Sequence, residues 1–322
     1  MNILVTGGAG FIGSHFVLRH KERFPDDTII VFDAMTYAAD ISFLDSVMDR
    51  IRFVKGDITD TTLVSGLIKQ YDVGVIVNFA AETHVDRSIK NAIPFLHSNV
   101  LGVQSLIEVC KEHLNILFLH VSTDEVYGEL KDGDPPCMVD TILRPSSPYS
   151  ATKAAGDLLL LAAVRTFGIH ARITRCTNNY GPHQAEEKFL PTVITHALKN
   201  EKVPIYGEGK NKRDWLYVTD HTDAIETVLE KGEDGNIYLI AADNEKQNID
   251  VAKTVLDLLG KSRDCIEFVI DRPGHDWRYS IDASNTRALG WQPQVPFEEG
   301  LKKTVEWYKD KGLQETGWTA SN

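Results

Sequence analysis

Cysteine is scarce in this sequence, and its placement excludes two classes of structure. Only four of the 322 residues are cysteines, and no two have the short spacing of a redox or metal-binding motif: Cys110, Cys137, Cys176 and Cys265. A disulfide framework and a cysteine-rich metal site are therefore excluded. We expect isolated thiols in a reducing compartment and no bound metal.

Positive charge is also in short supply. The chain has 34 lysines and arginines against 46 aspartates and glutamates, which gives a net charge of −12. Nucleic acid and anionic membrane surfaces require a cationic face, so we expect neither as a partner. An anionic small molecule is still compatible with a local basic pocket.

Long apolar runs are absent too. No segment approaches the roughly 18 consecutive apolar residues of a membrane-spanning helix. The N-terminus enters strand-like sequence at Asn2 without a signal-type segment. The contents of 43% apolar and 25% charged residues are ordinary for a globular protein. We therefore expect a cytoplasmic protein.

The first half of the chain instead shows a regular alternation of short apolar runs and amphipathic stretches of helical length. The runs are NILVT, TIIVFD, IRFVKGD, VGVIVNFAA and NILFLHVS, and HARITRCTNNYG extends the series. Such alternation is typical of βαβ units that build a parallel sheet covered on both faces. From about Gly181 proline and glycine interrupt the pattern, which indicates a smaller lobe.

A glycine-rich turn follows the first predicted strand. The stretch ILVTGGAGFIGSHFV places Gly7, Gly10 and Gly13 after that strand and at the start of a helical pattern. Glycines let the backbone approach a pyrophosphate, and the free amides of the helix N-terminus bind its charge. We therefore predict an α/β fold with a Rossmann-type doubly wound parallel sheet and a smaller C-terminal substrate-binding lobe. The predicted domains are 1–180 and 181–322, with some segments of the second half returning to the first domain.

The end of the second predicted strand indicates which dinucleotide binds. Asp33 lies 20 residues after Gly13, where a carboxylate would accept hydrogen bonds from an adenosine ribose. The next three residues, from Ala34 to Thr36, include no cation for a 2′-phosphate, so NAD is favoured over NADP. Asp57, after the third strand, is placed either to meet the adenine or to cap the following helix.

A tyrosine and a lysine lie four residues apart at the start of a predicted helix. Tyr149 and Lys153 therefore share one helix face. A lysine ammonium near a phenol favours the phenolate and lowers the phenol pKa, which makes the tyrosine a usable base for an alcohol proton. Thr123, at the tip of the fifth strand, would hydrogen-bond the same alcohol. Asp124 and Glu125 follow it, and two carboxylates at the end of an apolar strand are costly unless they serve the chemistry.

The motifs GGAGFIGS, STDEVYG and YSATK together resemble the extended short-chain dehydrogenase/reductase superfamily. Within it, TDEVYG is similar to the nucleotide-sugar 4,6-dehydratases. Other blocks with the same resemblance are AAETHVDRSI, TRCTNNYGPHQ, EKFLP, GKNKRDWLYVTDH and DRPGHDWRY. The blocks run from residue 3 to about residue 308, so the resemblance covers nearly the whole chain.

The resemblance implies a three-step reaction with tightly held NAD: oxidation of a hexose at carbon 4, elimination of water across carbons 5 and 6, and hydride return to carbon 6. By position, it makes Tyr149 the base at the 4-hydroxyl, supported by Thr123 and Lys153. It also makes Glu125 the base at carbon 5 and Asp124 the acid at the 6-hydroxyl. Such an acid must stay protonated near neutrality, which burial beside a like charge achieves.

The resemblance implies that the substrate is dTDP-glucose, and two other enzyme functions stay open. UDP-glucose would react by the same mechanism, and no residue in the sequence is identified that would distinguish thymine from uracil by its methyl group. A nucleotide-sugar 4-epimerase would share the glycine turn, Tyr149 and Lys153, but would need neither Asp124 nor Glu125. A scaffold that binds NAD without catalysis is disfavoured by the intact set of reactive residues.

The resemblance also implies two sets of contact residues. The cofactor set adds Phe11, Ile12, Ala34, Thr36, Asp57, Ile58, Ala80, Ala81, Thr83, Asn99 and Asn179 to the glycines, Asp33, Tyr149 and Lys153. The substrate set is Thr83, Thr123, Asn178, Lys188, Phe189, Pro204, Tyr206, Arg213, Asn248, Arg272 and His275. Within it, Arg213 and Lys188 would pair with the two phosphates, because a pyrophosphate needs cations that the acidic surface lacks.

The sequence gives only weak evidence of self-association of the chain. The segments PFLHSNVLGVQSLIEVCKEH and ATKAAGDLLLLAAVRTF carry more apolar positions than one buried stripe requires. Covering the sheet could account for all of them. The resemblance implies a homodimer formed through these helices.

Overall fold

The structure is a computed structural model that describes residues 1–315. Residues 316–322, the end of the predicted second lobe, lie outside this range. The strands are β1 (Asn2–Thr6), β2 (Thr28–Asp33), β3 (Arg52–Lys55), β4 (Val75–Asn78), β5 (Leu117–Thr123), β6 (His170–Cys176), β7 (Asn178–Tyr180), β8 (Val203–Tyr206), β9 (Lys212–Tyr217), β10 (Ile237–Ile240), β11 (Glu245–Gln247) and β12 (Ile266–Val269).

The helices alternate with these strands through the first half of the chain. They are α1 (Phe11–Arg23), α2 (Thr61–Tyr71), α3 (Val85–Lys90), α4 (Ile93–Phe95), α5 (Val103–Glu112), α6 (Pro148–Phe167), α7 (Phe189–Leu198), α8 (Val218–Lys231), α9 (Asn248–Leu259), α10 (Ser284–Arg287) and α11 (Phe297–Glu315). A π-helical segment, Leu96–Gly102, joins α4 to α5.

A seven-stranded parallel sheet forms the centre of the fold, in the order β10-β6-β5-β4-β1-β2-β3. Its strands are apolar throughout because helices cover both faces. Successive residues of β1 pack into apolar cores on opposite faces of the sheet. Leu4 packs with Ile30 on one face, and Ile3 and Val5 pack on the other. The predicted α/β fold with a doubly wound parallel sheet is confirmed.

Helix α6 carries two of the predicted reactive residues, and its start is fixed by local sequence. The Ser147 hydroxyl accepts a hydrogen bond from the Ser150 amide at 3.1 Å, Pro148 occupies the first turn, and Gly168 ends the helix with φ 70°. A capped N-terminus holds the first two turns rigidly. Tyr149 and Lys153 are in those turns, beside the end of β5.

The second half of the chain divides between the central sheet and a smaller lobe. Strand β10 pairs with β6, and α8 packs on the sheet face that includes Ile3 and Val5. The lobe contains the three-stranded sheet β11-β9-β7, the pair β12-β8, and helices α7, α9 and α11 around their own apolar core.

Residues 1–315 include neither a helix suited to a membrane nor a cluster of metal-binding side chains. None of the helices within residues 1–315 combines the length and the apolar character needed to cross a membrane. Nor does that part of the chain bring three or more His, Cys, Asp or Glu side chains into an arrangement that could hold a metal ion.

Candidate active site

The carboxyl ends of β1, β2, β4 and β5 open into one long cleft. It has about 1580 Å³ of empty space, counting the solvent at its mouth. All predicted catalytic residues line it, and so does every predicted cofactor residue except Asn99. Ligands of doubly wound sheets bind at this edge, so the predicted site lies where the fold provides a crevice.

The glycine turn forms the floor of the cleft, and side chains are excluded there. Gly7 has φ 68°, and a Cβ at this position would lie 2.5 Å from the Ala80 amide nitrogen. A Cβ on Gly13 would overlap the Gly7 carbonyl oxygen. Helix α1 begins at Phe11 with Gly10 as its cap and without a side-chain capping bond, so its first amides face the cleft unblocked. This cradle fits a dinucleotide pyrophosphate.

Asp33 is fixed by backbone amides at the end of β2. Its two oxygens accept hydrogen bonds from the Ala9 amide at 3.0 Å and the Met35 amide at 2.8 Å. Burial raises its pKa, and these amides oppose that shift. Asp57 also lines the cleft and accepts from the Thr59 amide at 2.8 Å. The cap of α2 is Asp60, so the alternative interpretation of Asp57 as that cap is wrong.

Orphaned polar atoms also indicate a bound group in this cleft. Buried side-chain oxygens on its wall that have no hydrogen-bond partner within residues 1–315 include Asp124 Oδ2, Asn178 Oδ1, Asn179 Oδ1 and Gln184 Oε1. Buried polar atoms are rarely left unpaired in folded proteins. Together with the glycine cradle and Asp33, they make the cleft suited to NAD.

The structure differs from the prediction at Asn99. This side chain is buried behind the cleft wall, where its Oδ1 accepts from the Glu82 amide at 2.9 Å. Its amide group donates to the Glu82 carbonyl and to Thr152 Oγ1, both at 3.0 Å. Both of its N–H donors are used inside the protein, so Asn99 holds the segment after β4 in place and does not line the cleft.

The charge states of the Tyr149 and Lys153 side chains also differ from expectation. Both are buried, and burial followed by the nearby Glu125 carboxyl raises the Tyr149 pKa well above its ordinary value. Burial lowers the Lys153 pKa to about 8. The Lys153 ammonium donates to the Val121 carbonyl at 2.7 Å. The predicted lowering of the phenol pKa by the neighbouring lysine is therefore outweighed by desolvation.

Asp124 and Glu125 occupy different electrostatic environments. The Asp124 side chain is 4% exposed, and burial followed by the Glu125 charge raises its pKa well above the ordinary value. Burial also raises the Glu125 pKa, but the charges of Arg272 and Lys188 oppose that shift. Asp124 is thus suited to stay protonated and act as an acid, and Glu125 is suited to be ionised and act as a base, which is the pairing that an elimination needs.

The predicted substrate residues fall into two groups. Those that line the cleft are Thr83, Thr123, Asn178 and Lys188, whereas Phe189, Pro204, Tyr206, Arg213, Asn248, Arg272 and His275 lie outside its lining. Lys188 donates to the Thr83 carbonyl at 2.7 Å. Tyr206 and Arg272 each donate to a different oxygen of Asp86 at 3.1 Å, so this part of the lobe is tied to α3.

Arg213 is held by backbone carbonyls. Its guanidinium donates to the Lys212 carbonyl at 2.7 Å and the Asp276 carbonyl at 2.8 Å, and it lies 4.1 Å from the centre of the Tyr279 ring. Its charge opposes the rise in the pKa of Asp124. The predicted pairing with a phosphate stays a prediction, and the structure adds an electrostatic effect on the acid.

Tyr279 is the main residue that the sequence reasoning missed. Its hydroxyl donates to Asp276 Oδ2 at 2.7 Å and lies 3.5 Å from Glu125 Oε2. The block DRPGHDWRY ends at this tyrosine, but no pattern in the sequence connects it with residue 125. The lining residues of the cleft that were not predicted are Phe32, Ala38, Ala39, Gly56, Phe79, Glu82, Ser98, Val121, Ser122, Cys176, Thr177, Gln184 and Ala185.

Known proteins share both the sequence and the fold of this chain. The dTDP-glucose 4,6-dehydratase of Mycobacterium tuberculosis is 47% identical over 313 residues, covering 96% of this chain and 94% of that protein. The crystal structure of the dTDP-glucose 4,6-dehydratase of Streptomyces venezuelae, with NAD and TYD bound, is 44% identical with a TM-score of 0.92, covering 96% and 97% of the two chains. The UDP-glucose 4-epimerase of Thermus thermophilus, in complex with NAD, is 28% identical with a TM-score of 0.89, covering 96% and 99%.

The family assignment rests on a match over most of the sequence. A protein-family model described as GDP-mannose 4,6 dehydratase matches residues 4–304. This range includes the glycine turn, the strand-end acids, the tyrosine helix and most of the lobe. The predicted resemblance is therefore confirmed, and this chain belongs to the GDP-mannose 4,6 dehydratase family.

Proposed function

We propose that this chain is an NAD-dependent dTDP-glucose 4,6-dehydratase, a hydro-lyase of deoxysugar biosynthesis that forms dTDP-4-keto-6-deoxyglucose and water. The relatives named dTDP-glucose 4,6-dehydratase support the substrate. The observation that carries the proposal is the pair of adjacent carboxyl groups at the end of β5, which the surrounding residues divide into an acid and a base. An epimerase has no step that uses them.

The cleft residues hold the cofactor and start the reaction. The glycine turn binds the pyrophosphate, and Asp33 binds the adenosine ribose. When bound, NAD would supply a hydride acceptor for carbon 4 and a hydride donor for carbon 6, and its oxidised form would add positive charge to the cleft. Tyr149 removes the proton of the 4-hydroxyl, which Thr123 also holds by a hydrogen bond. Lys153 adds a second cation near the phenol and so favours its ionised form.

The elimination uses the two carboxyl groups in turn. The ketone at carbon 4 acidifies the hydrogen at carbon 5, so Glu125 is a strong enough base to remove it. The bond from carbon 6 to its hydroxyl then breaks, and Asp124 gives its proton to the departing oxygen so that water leaves. Tyr279 supports Glu125 from the lobe side.

The decisive experiment compares nucleotide sugars. Purified protein is incubated separately with dTDP-glucose and UDP-glucose, and the 4-keto-6-deoxy product is followed by mass spectrometry. Product from dTDP-glucose at the higher kcat/KM supports the proposal, whereas a preference for UDP-glucose would keep the mechanism and change the nucleotide. A change of configuration at carbon 4 with the 6-hydroxyl retained would instead identify a 4-epimerase.

We also propose a homodimer in the cytoplasm. The face formed by α4, the π-helical segment and α6 exposes large apolar side chains, among them Ile93 at 68%, Leu101 at 50% and Leu158 at 56%. A second copy of the chain would cover this face, as the resemblance implies. Leu158→Glu is expected to shift the sedimentation coefficient to that of a monomer, while the exposed Leu258→Glu on α9 leaves it unchanged. Four cysteines without disulfide partners support a reducing compartment, which cell fractionation would test.

A further inference from the structure

A chain of buried polar side chains lies behind Lys153, away from the cleft lining. Lys153 Nζ is 3.5 Å from His120 Nε2, and that nitrogen is 3.7 Å from Asp157 Oδ1. The other oxygen of Asp157 accepts from Arg175 Nε at 2.9 Å. Arg175 in turn donates to the Tyr127 hydroxyl at 2.7 Å. His120 and Asp157 have no solvent exposure, and neither lines the cleft.

His120 does not supply the negative charge that a buried ammonium needs. The Asn78 amide nitrogen lies 3.0 Å from His120 Nδ1, so this ring nitrogen acts as an acceptor. Burial, and then the charges of Lys153 and Arg175, lower the His120 pKa well below its ordinary value. The imidazole is therefore neutral, and it adds no charge of its own between Asp157 and Lys153.

The arrangement of Asp157 is not explained by its ion pair with Arg175 alone. The pair accounts for Oδ2, whereas Oδ1 is buried and lies 3.7 Å from His120 Nε2, and the Ser122 hydroxyl is the other polar group beside this carboxyl. Asp157 follows Lys153 by four residues on α6, so the two side chains share one helix face. A Cβ on the intervening Gly156 would lie 2.8 Å from the Asn99 carbonyl oxygen, so glycine allows α6 to pack closely here.

The other groups around Lys153 carry no competing negative charge. On β5 it meets neutral His120, and on α6 the phenol of Tyr149, whose pKa is raised well above its ordinary value. On β6 it meets the cation Arg175 and the Cys176 thiol, whose pKa burial raises to about 12. Burial lowers the pKa of Lys153 itself to about 8, and the Asp157 charge opposes this shift.

We infer that Asp157 is a positioning residue for the reaction: its carboxylate, anchored by Arg175, keeps the buried Lys153 side chain protonated. The claim that the Lys153 charge assists oxidation of the sugar rests on the proposed function. The charge state of Lys153 is a property of the protein alone and is measured without substrate.

The test is a pH titration of the Lys153 Cε resonance in full-length protein labelled with [13Cε]lysine. The signal is assigned by its loss in Lys153→Met. The Lys153 ammonium of the wild type is expected to titrate at about pH 8. In Asp157→Asn it is expected to titrate lower by about one unit or more. Arg175→Lys is the matched control, because it changes the hydrogen bonds of the same ion pair but keeps both charges. Its midpoint is expected to stay unchanged.

A kinetic measurement then links the charge to catalysis. The alkaline limit of cofactor reduction by the nucleotide sugar is expected at lower pH in Asp157→Asn than in the wild type. An unchanged Lys153 midpoint in Asp157→Asn, or an equal fall in Arg175→Lys, would overturn the inference. If Asp157→Asn does not fold, the double variant with Arg175→Gln removes both charges and is expected to lower the midpoint as well. Absence of dehydratase activity in the wild type would instead contradict the proposed function and leave the titration valid.

Discussion

The Thr123 hydroxyl donates a hydrogen bond to Asp124 Oδ1 at 3.2 Å and also accepts one from the Glu125 amide at 3.2 Å. The second Asp124 oxygen, Oδ2, is buried and has no partner among the described residues. One hydroxyl therefore holds both the Asp124 carboxyl group and the Glu125 backbone, and the free oxygen of Asp124 is placed to carry a proton.

Asp124→Asn should slow the elimination selectively. The amide cannot donate a proton of sufficient acidity to the leaving oxygen, so loss of the 6-hydroxyl is expected to fall by about 100-fold or more. Cofactor reduction should continue, and in D2O the carbon 5 hydrogen should still exchange. Mass spectrometry of a single turnover measures both. An unchanged elimination rate would contradict the acid role.

The same substitution should also change stability in a pH-dependent way. The folded state raises the Asp124 pKa, whereas the unfolded chain ionises near about 3.9. Above that pH the folded protein bears a cost that asparagine avoids, and below it the cost disappears. Asp124→Asn is therefore expected to need more urea to unfold at neutral pH, with a gain that shrinks as the pH falls towards 4. A gain that is equal at both pH values would refute this account.

Glu125→Gln should separate oxidation from dehydration. Without a base at carbon 5, the cofactor is expected to become reduced on substrate addition, but product formation should fall by about 100-fold or more. In contrast to Asp124→Asn, exchange of the carbon 5 hydrogen with D2O should also be lost. Glu230→Gln, at an exposed position of α8, is the control. Normal product formation by the Glu125 variant would remove this residue from the mechanism.

Tyr149→Phe should stop the reaction at its first step. Phenylalanine keeps the ring in its buried position but has no hydroxyl to take the proton from the sugar. The rate of the absorbance rise near 340 nm that follows substrate addition is expected to fall by about 100-fold or more. Tyr71→Phe on α2 is the control, because it makes the same chemical change at a tyrosine that lies away from the cleft. A normal rise in the Tyr149 variant would exclude it as the base.

Gly13→Ala should weaken cofactor binding, because its Cβ would overlap the Gly7 carbonyl oxygen and force the turn apart. Gly66→Ala on α2 is the control, since a Cβ there has no neighbour within 4 Å. Gly66→Ala is expected to bind NAD normally and to gain about 1 kcal/mol of stability. Isothermal titration of cofactor-free protein with NAD compares the two. Equal affinities would show that the turn does not hold the pyrophosphate.

The parts of the site that follow from neighbouring residues in sequence were predictable. The glycine turn, the strand-end position of Asp33, and the shared face of Tyr149 and Lys153 depend on steric and helical rules that act within a few residues. The parallel sheet was predictable for a similar reason, because buried strands need continuous apolar runs.

Contacts between distant segments were not predictable in this way. Tyr279 and Glu125 are 154 residues apart, and no periodicity brings them together. Asn99 was assigned to the cofactor by position alone, yet its hydrogen-bonding groups are taken by Glu82 and Thr152. The shifts of the Tyr149 and Lys153 pKa values depend on how completely the fold removes water, which spacing does not reveal.

The return of β10 to the central sheet sets a limit on how this protein can be divided. Because β10 occupies the edge beside β6, a fragment ending at residue 180 would leave a row of unpaired backbone groups and the apolar surface that α8 covers. Such an edge recruits other chains into intermolecular sheets. Split reporters and fusion partners should therefore be inserted at surface loops, and truncated expression fragments should not end at residue 180. The chain behaves as one unit rather than as two separable modules.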